Sequence, residues 1–473
     1  MTQRSRSRRD GIRGRRAVAV AALVAAVLAA GAPVAGSAAL ASGPAAPVAP
    51  VVAGAPTALG ARPASSAALQ TTTPNPAEEA DPIRAAQYWL DEYGVRDAWQ
   101  TTRGKGVTIA IIDTGVGRSP VEFSGAVVGG ADFSGVGASD GRKPVGAVDA
   151  SHGSWVASLA ASRGTGPDTG MIGVAPEASL LAISVGFGAS SSVPFIDQVA
   201  DAMRWAVDHG ADVINLSFTT NTLTWDPKWD DAFQYAFDHD VVVVVAAGNK
   251  GSGTTEVGAP ATIPGVLTVG GVTRDGVASD RASTQGITIG ISAPSEQLLG
   301  VSADGTVVQW DGTSGAAPIV AGIVALVRAA HPDLNADNVI NRVISTARST
   351  SASLANPQLY GHGLVDASAA VSASVPTVDK SPLGMTLAEW VRLYRRAEVQ
   401  PKPQPTATPA PIPELPAADV VVVRSPLLPS SDTLRYGTVP LGVGTLAAIL
   451  VALGVTAAAR RIRSERAQRA SSR

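Results

Sequence analysis

The sequence predicts a three-layer α/β domain, a mostly parallel sheet flanked by helices, followed by one C-terminal transmembrane helix. Residues 107–112, 180–185, 213–216 and 241–247 are continuous apolar runs rich in Val and Ile. That is the pattern of strands covered on both faces. Between them, residues 195–209 and 230–238 place apolar side chains at helical spacing, and strand–helix alternation implies a parallel sheet under helices. Near the end, residues 440–459 carry no charge and are followed by Arg460, Arg461, Arg463, Arg466, Arg469 and Arg473. About 20 apolar residues match a bilayer span, and the arginines mark its cytoplasmic side. A buried core helix is the alternative reading of 440–459, but it leaves the position behind a Pro-rich stalk unexplained.

The totals exclude several classes of function. The 473-residue chain has a formal net charge of −2, so nucleic acid is not an expected partner. It contains no cysteine, which removes disulfides, thiolate metal sites and a Cys nucleophile. No cofactor or metal is expected. Aromatic residues are only 4% of the chain, so the core should be aliphatic and its stability should come from packing.

Composition divides the chain further. Arg4, Arg6, Arg8, Arg9, Arg13, Arg15 and Arg16 precede an apolar run, 17–30, and the small-residue site Ala39-Leu40-Ala41. Residues 1–41 thus read as a secretory signal peptide, the alternative being a transmembrane anchor for which the run is short. Residues 42–80 are Ala-, Pro- and Thr-rich without period, as in a disordered spacer or short pro-segment. The α/β domain occupies 81–374. Residues 375–439 read as a Pro-rich linker or stalk, with a short amphipathic helix at 386–397 and a stiff Pro-dense run at 401–416. The transmembrane segment is 440–459 and the basic cytoplasmic tail 460–473. The expected location is the cell membrane, single-pass, with the α/β domain outside.

Within the domain, three polar islands stand out. Residues 109–112 run straight into Asp113-Thr114-Gly115, placing a carboxylate at a strand's carboxyl end, where α/β folds bind and react with ligands. Ser151-His152-Gly153 opens a helix of small residues. Gly312-Thr313-Ser314-Gly315-Ala316-Ala317-Pro318 heads another, with Ile319, Val320, Ile323, Val324 and Val327 on its apolar face. Pro318 is expected in the first turn, where proline is tolerated. A serine at a helix start lies near unpaired backbone N–H groups that can stabilise an oxyanion. A serine hydroxyl needs a base to become a nucleophile, and a histidine needs an orienting acid. His209, His239, His331 and His362 read as cap or turn residues, which leaves His152 as the base. Asp113 is the first candidate for the orienting acid and Asp149, in a polar loop, the runner-up.

Asp113-Thr114-Gly115, His152-Gly153 and Gly312-Thr313-Ser314 with Ala316-Ala317-Pro318, in this order, resemble the three signatures of the subtilisin family of serine proteases. The likeness covers about 81–374. It implies a subtilisin-like fold, peptide-bond hydrolysis, and Asp113, His152 and Ser314 as the catalytic triad. It also implies Asn249, at the end of the 241–247 strand, as the side-chain donor of the oxyanion hole. Asn249 by itself reads as a plain turn residue after a strand. Ser217, Phe218, Thr219, Gly248 and Lys250 fall on the implied substrate cleft. Two departures stand out. Trp155 stands where the family often has a second His, a change expected to leave the triad unaffected. Thr219 stands where a Gly keeps the cleft open, and it should narrow the cleft.

Signal peptide, protease domain, Pro-rich stalk, single span and Arg tail together resemble the mycosins, membrane-anchored proteases of type VII secretion in actinobacteria. That resemblance implies protein or peptide substrates, limited cleavage of secretion-related proteins, and membrane attachment by one C-terminal helix. It also implies a place in the type VII secretion membrane complex. The alternative is a structural component of that complex whose proteolysis is secondary.

Overall fold

The computed structural model describes residues 81–146, 150–188, 191–395, 418–420 and 439–470. The expected signal peptide and spacer, and most of the Pro-rich stalk, lie outside them. Among the described residues a seven-stranded sheet is built from β1 (Thr108–Asp113), β2 (Val127–Asp132), β3 (Ser179–Ser184), β4 (Val213–Leu216), β5 (Val242–Ala246), β6 (Leu267–Val272) and β7 (Ile289–Pro294). Its spatial order is β2-β3-β1-β4-β5-β6-β7, and every pairing is parallel. The expected fold class is therefore the observed one. Residues 127–132, 267–272 and 289–294 are strands that the sequence pattern conceals, because Gly129, Gly130, Gly270, Gly271 and Gly290 interrupt their apolar runs.

Both faces of the central strands β1, β3, β4 and β5 are buried, so their side chains are mostly apolar on both sides. In β1, Ile109 and Ile111 join one core with the helices His152–Ala161 and Thr313–Ala330. Ala110 and Ile112 join the opposite core with the helices Phe195–Asp208 and Pro227–Asp238. Close approach replaces bulk in this aliphatic interior. A Cβ on Gly322 would lie 2.6 Å from Val174 Cβ, so the long helix Thr313–Ala330 rests almost directly on residues 173–175. That helix is apolar enough to cross a membrane by length and composition, but 83% of it is buried, which makes it a core helix.

The domain extends at both ends. Ahead of β1, Trp89, Leu90 and Tyr93 are fully or almost fully buried, and the Arg84 guanidinium donates to the carbonyls of Gly170 and Thr169. Beyond Ser374, the segment read as linker stays on the domain through Arg395. Asn338 exchanges hydrogen bonds with the Val378 backbone, and Asn341 Nδ2 donates to Pro376 O. The helix Leu387–Tyr394, opened by a Thr386/Glu389 capping box, buries Leu387 and sets Trp390 against Trp225 at 4.5 Å between ring centroids. Arg395 pairs with the buried Asp230 at 2.5 Å. The amphipathic stretch is thus a docked helix. β8 (Leu298–Val301), β9 (Val307–Trp310) and β10 (Ala418–Val420) form a separate antiparallel sheet, so residues 418–420 also return to the domain.

Residues 439–470 form one helix, Val439–Ala470. Its apolar part, Leu441–Ala457, exposes Leu441, Val443, Leu446, Ile449, Leu450, Val451, Leu453 and Val455.

Trp390→Ala should lower stability by roughly 1–3 kcal/mol. Thermal unfolding should show a lower Tm, and an unchanged Tm would mean the 387–394 helix adds nothing to the domain.

Candidate active site

The strand order reverses between β1 and β4, since β2 and β3 lie on one side of β1 and β4 to β7 on the other. In open α/β sheets the crevice at such a reversal, beyond the strands' carboxyl ends, is where ligands bind. Asp113 ends β1, and Ser217 directly follows β4. Asn249 follows β5, and the N-termini of the His152 and Ser314 helices meet the same edge. The five residues are therefore gathered by topology from positions up to 201 residues apart, Asp113 to Ser314.

Asp113 and His152 are both fully buried, and His152 Nδ1 lies 2.8 Å from Asp113 Oδ1. The same oxygen accepts the Thr114 N–H at 2.7 Å. Thr114 fixes the approach of the two elements: its hydroxyl donates to Ala150 O at 2.8 Å and accepts the Gly153 N–H at 2.8 Å. The space is closed to any larger residue at Gly153, where a Cβ would lie 2.4 Å from Gly115 O. Gly115 itself has φ +97°, a conformation that favours glycine. The imidazole is packed edge-on by Trp155 and Trp310, with centroids 6.0 and 5.5 Å away. Trp155 Nε1 donates to Ser302 Oγ. Trp155 thus walls the histidine rather than standing apart from it. Among the described residues, His152 Nε2 and Asp113 Oδ2 are buried with no hydrogen-bond partner.

Ser314 is the second residue of its helix, and Ser314 Oγ donates to Ser217 O at 2.9 Å rather than to His152. Pro318 lies inside the helix and not in its first turn. Having no N–H, it leaves the Ser314 carbonyl without its helical partner. Ser217 Oγ fills that gap, donating to Ser314 O at 2.8 Å, and is itself held by Asn215 Nδ2 at 2.9 Å.

Thr313 sets the direction of Asn249. Its N–H and hydroxyl both donate to Asn249 Oδ1, at 2.8 and 3.0 Å, while its Oγ1 accepts the Gly248 N–H at 3.0 Å. With Oδ1 so engaged, the Asn249 amide presents Nδ2 on its other side. Sequence reasoning did not single out Thr114 or Thr313, although both lie inside the motifs. Their bridging hydroxyls are a tertiary feature.

The remaining cleft positions divide by direction. Phe218 turns into the core, against Phe187 and Phe195 at 5.6 and 5.3 Å, and offers the cleft only its backbone. Thr219 is nearly buried and donates to Gly258 O at 2.8 Å. Lys250 is exposed at the start of a short 3-10 turn. Asp149 lies outside the described residues. At the neighbouring strand end, burial would raise the Asp132 carboxyl, but bonds from Ser134, Ser184 and Gly137 outweigh it and hold it below the ordinary carboxylate range. Ser184 pairs in register with Asp113. Among the described residues no group of three or more His, Asp or Glu is placed to hold a metal ion.

Comparison with known proteins identifies the family. The subtilase family model (peptidase S8) matches residues 104–363. Mycosin-4 of Mycobacterium tuberculosis is 34% identical over 337 residues, covering 61% of this chain and 70% of that protein. Subtilisin DY of Bacillus licheniformis is 35% identical over 277 residues, covering 57% of this chain and 93% of the relative. Among solved structures, MycP1 from the ESX-1 type VII secretion system superposes with a TM-score of 0.54 at 28% identity, covering 62% of this chain and 88% of that one. The chain belongs to the subtilase family of serine endopeptidases.

Proposed function

We propose that Asp113, His152 and Ser314 are the catalytic triad of this protease and that it makes limited cuts in secretion-related proteins at the actinobacterial cell membrane. The buried Asp113–His152 pair carries the reading, because it leaves one imidazole nitrogen, Nε2, unpartnered at the start of a helix that shares a core with the serine helix. A buried polar atom without a partner calls for a function.

The chemistry follows from the groups. On substrate binding, Ser314 Oγ leaves Ser217 O and turns to His152 Nε2. The hydroxyl oxygen attacks the scissile carbonyl carbon while Nε2 takes its proton. Asp113 holds the Nδ1–H tautomer and stabilises the imidazolium. The carbonyl π electrons move onto oxygen, and Asn249 Nδ2 with the Ser314 N–H receives the oxyanion. Collapse breaks the C–N bond as His152 returns the proton to the leaving amine. Water then repeats the sequence on the acyl ester, with His152 again as base, and frees Ser314.

The membrane part of the reading rests on the exposed apolar stretch Leu441–Ala457 and the arginines from Arg460 onward. They fit a single span with the protease domain outside and residues 460–473 in the cytoplasm. The secretion role rests on the likeness to the mycosins and to MycP1 from a type VII system.

Four outcomes are expected. Ser314→Ala should fold normally and lose at least about 10³-fold in peptide hydrolysis; activity within tenfold of the native enzyme would sink the triad. A host carrying only this variant should share the secretion defect of a gene deletion, and normal secretion would favour a structural role. Asn249→Ala should lower kcat by about 10²–10³ with little change in KM, a magnitude taken over from the corresponding donor in subtilisin. A change confined to KM would make Asn249 a cleft residue only. A reporter fused after Arg473 should be active only in the cytoplasm, and external activity would reverse the topology.

A further inference from the structure

We propose that Thr219 closes the pocket for the side chain preceding the scissile bond, so that the enzyme cuts after small residues such as glycine, alanine and serine. This rests on the assignment of Ser314 and Asn249 made above.

The pocket's position follows from the strand order. β4 and β5 are parallel neighbours, and their continuations, 217–219 and 247–249, flank a crevice. One wall touches the nucleophile, since Ser217 O accepts from Ser314 Oγ. The other ends in Asn249, which is tied to the serine helix by Thr313. A peptide carbonyl with its carbon at Ser314 Oγ and its oxygen toward Asn249 Nδ2 lies across this crevice. The side chain one bond back on the acyl residue then enters between the two walls.

That space is occupied by the protein. Thr219 is only 6% exposed. Its hydroxyl donates to Gly258 O at 2.8 Å. Its methyl faces the other wall, where a Cβ on Gly248 would meet Thr219 Cγ2 at 2.7 Å and Thr254 Cγ2 at 2.8 Å. The floor is equally tight, since a Cβ on Gly258 would lie 1.8 Å from Thr220 O. Thr219 thus spans the crevice from Gly248 to Gly258, with Thr254 beside it. Two glycines that would otherwise leave room are covered by threonine methyl and hydroxyl groups. A branched or aromatic side chain fits only by pushing Thr219 off its hydrogen bond and overpacking the Gly248 face. One methylene too many in such a pocket is worth about 10–200-fold in kcat/KM.

The test is a peptide series, identical except at the residue before the cut, assayed with the full-length protein in detergent. The native enzyme should process Ala and Ser peptides at least tenfold better, in kcat/KM, than Leu and Phe peptides. Thr219→Gly should raise the Leu-to-Ala ratio at least tenfold. Thr219→Ser keeps the hydroxyl and removes only the methyl, so it should raise the ratio by a smaller factor if Thr219→Gly does not fold. Native preference for Leu or Phe, or an unchanged ratio in a folded variant, would overturn the proposal. Labelling of Ser314 by a fluorophosphonate keeps the two readings apart. Unchanged ratios with Ser314 labelled defeat the pocket alone, whereas hydrolysis without labelling defeats the triad on which it stands.

Discussion

The site depends on one missing hydrogen bond. Pro318 has no N–H, so the carbonyl of Ser314 is released from the helical ladder, and the hydroxyl of Ser217 takes its place. The reverse contact, from Ser314 Oγ to Ser217 O, closes a two-bond clasp between the serine helix and the end of β4. A regular helix would spend that carbonyl internally and would have no polar reason to stop at Ser217. The clasp sets the height of Ser314 over the sheet, and Asn215 holds the Ser217 side of it.

Two threonines perform the same task for the other groups. Thr114 joins the end of β1 to the first turn of the histidine helix, and Thr313 joins the serine helix to Gly248 and Asn249. Each hydroxyl both donates and accepts: Thr114 ties two backbone groups, and Thr313 ties the Gly248 N–H to the Asn249 side chain. Glycines supply the clearance, as where Gly153 meets Gly115. The serine, histidine, aspartate and asparagine are therefore held by short backbone-to-hydroxyl bridges rather than by large side chains. That suits a chain poor in aromatics, whose helices rest directly on the sheet.

The segment beyond Ser374 adds a second constraint. Trp225, at the end of the loop that begins at the cleft residue Thr219, is buried by Trp390 and bonded to Asp230, which also pairs with Arg395. A buried carboxylate facing a guanidinium is stable only while both partners remain. The far end of that loop thus depends on chain that follows the catalytic motifs.

The sequence by itself determined the layered α/β class, the chemical groups and their order. Periodicity and continuous Val/Ile runs reveal strands buried on both faces, and polar islands, one at a strand end and two at helix starts, single out Asp113, His152 and Ser314 as candidates. It did not reveal β2, β6 and β7, whose glycines break the apolar pattern, nor the docking of 376–395, whose backbone and Arg395 meet groups far away in the chain. Tertiary structure decided which hydroxyl serves which backbone group, that Pro318 lies inside its helix, and that Phe218 turns to the core while the Thr219 hydroxyl bonds Gly258 O. The physical reason is range. Local pattern encodes burial and period, whereas a hydrogen bond between Ser217 and Ser314 spans 97 positions, and only the folded sheet brings its two ends within reach.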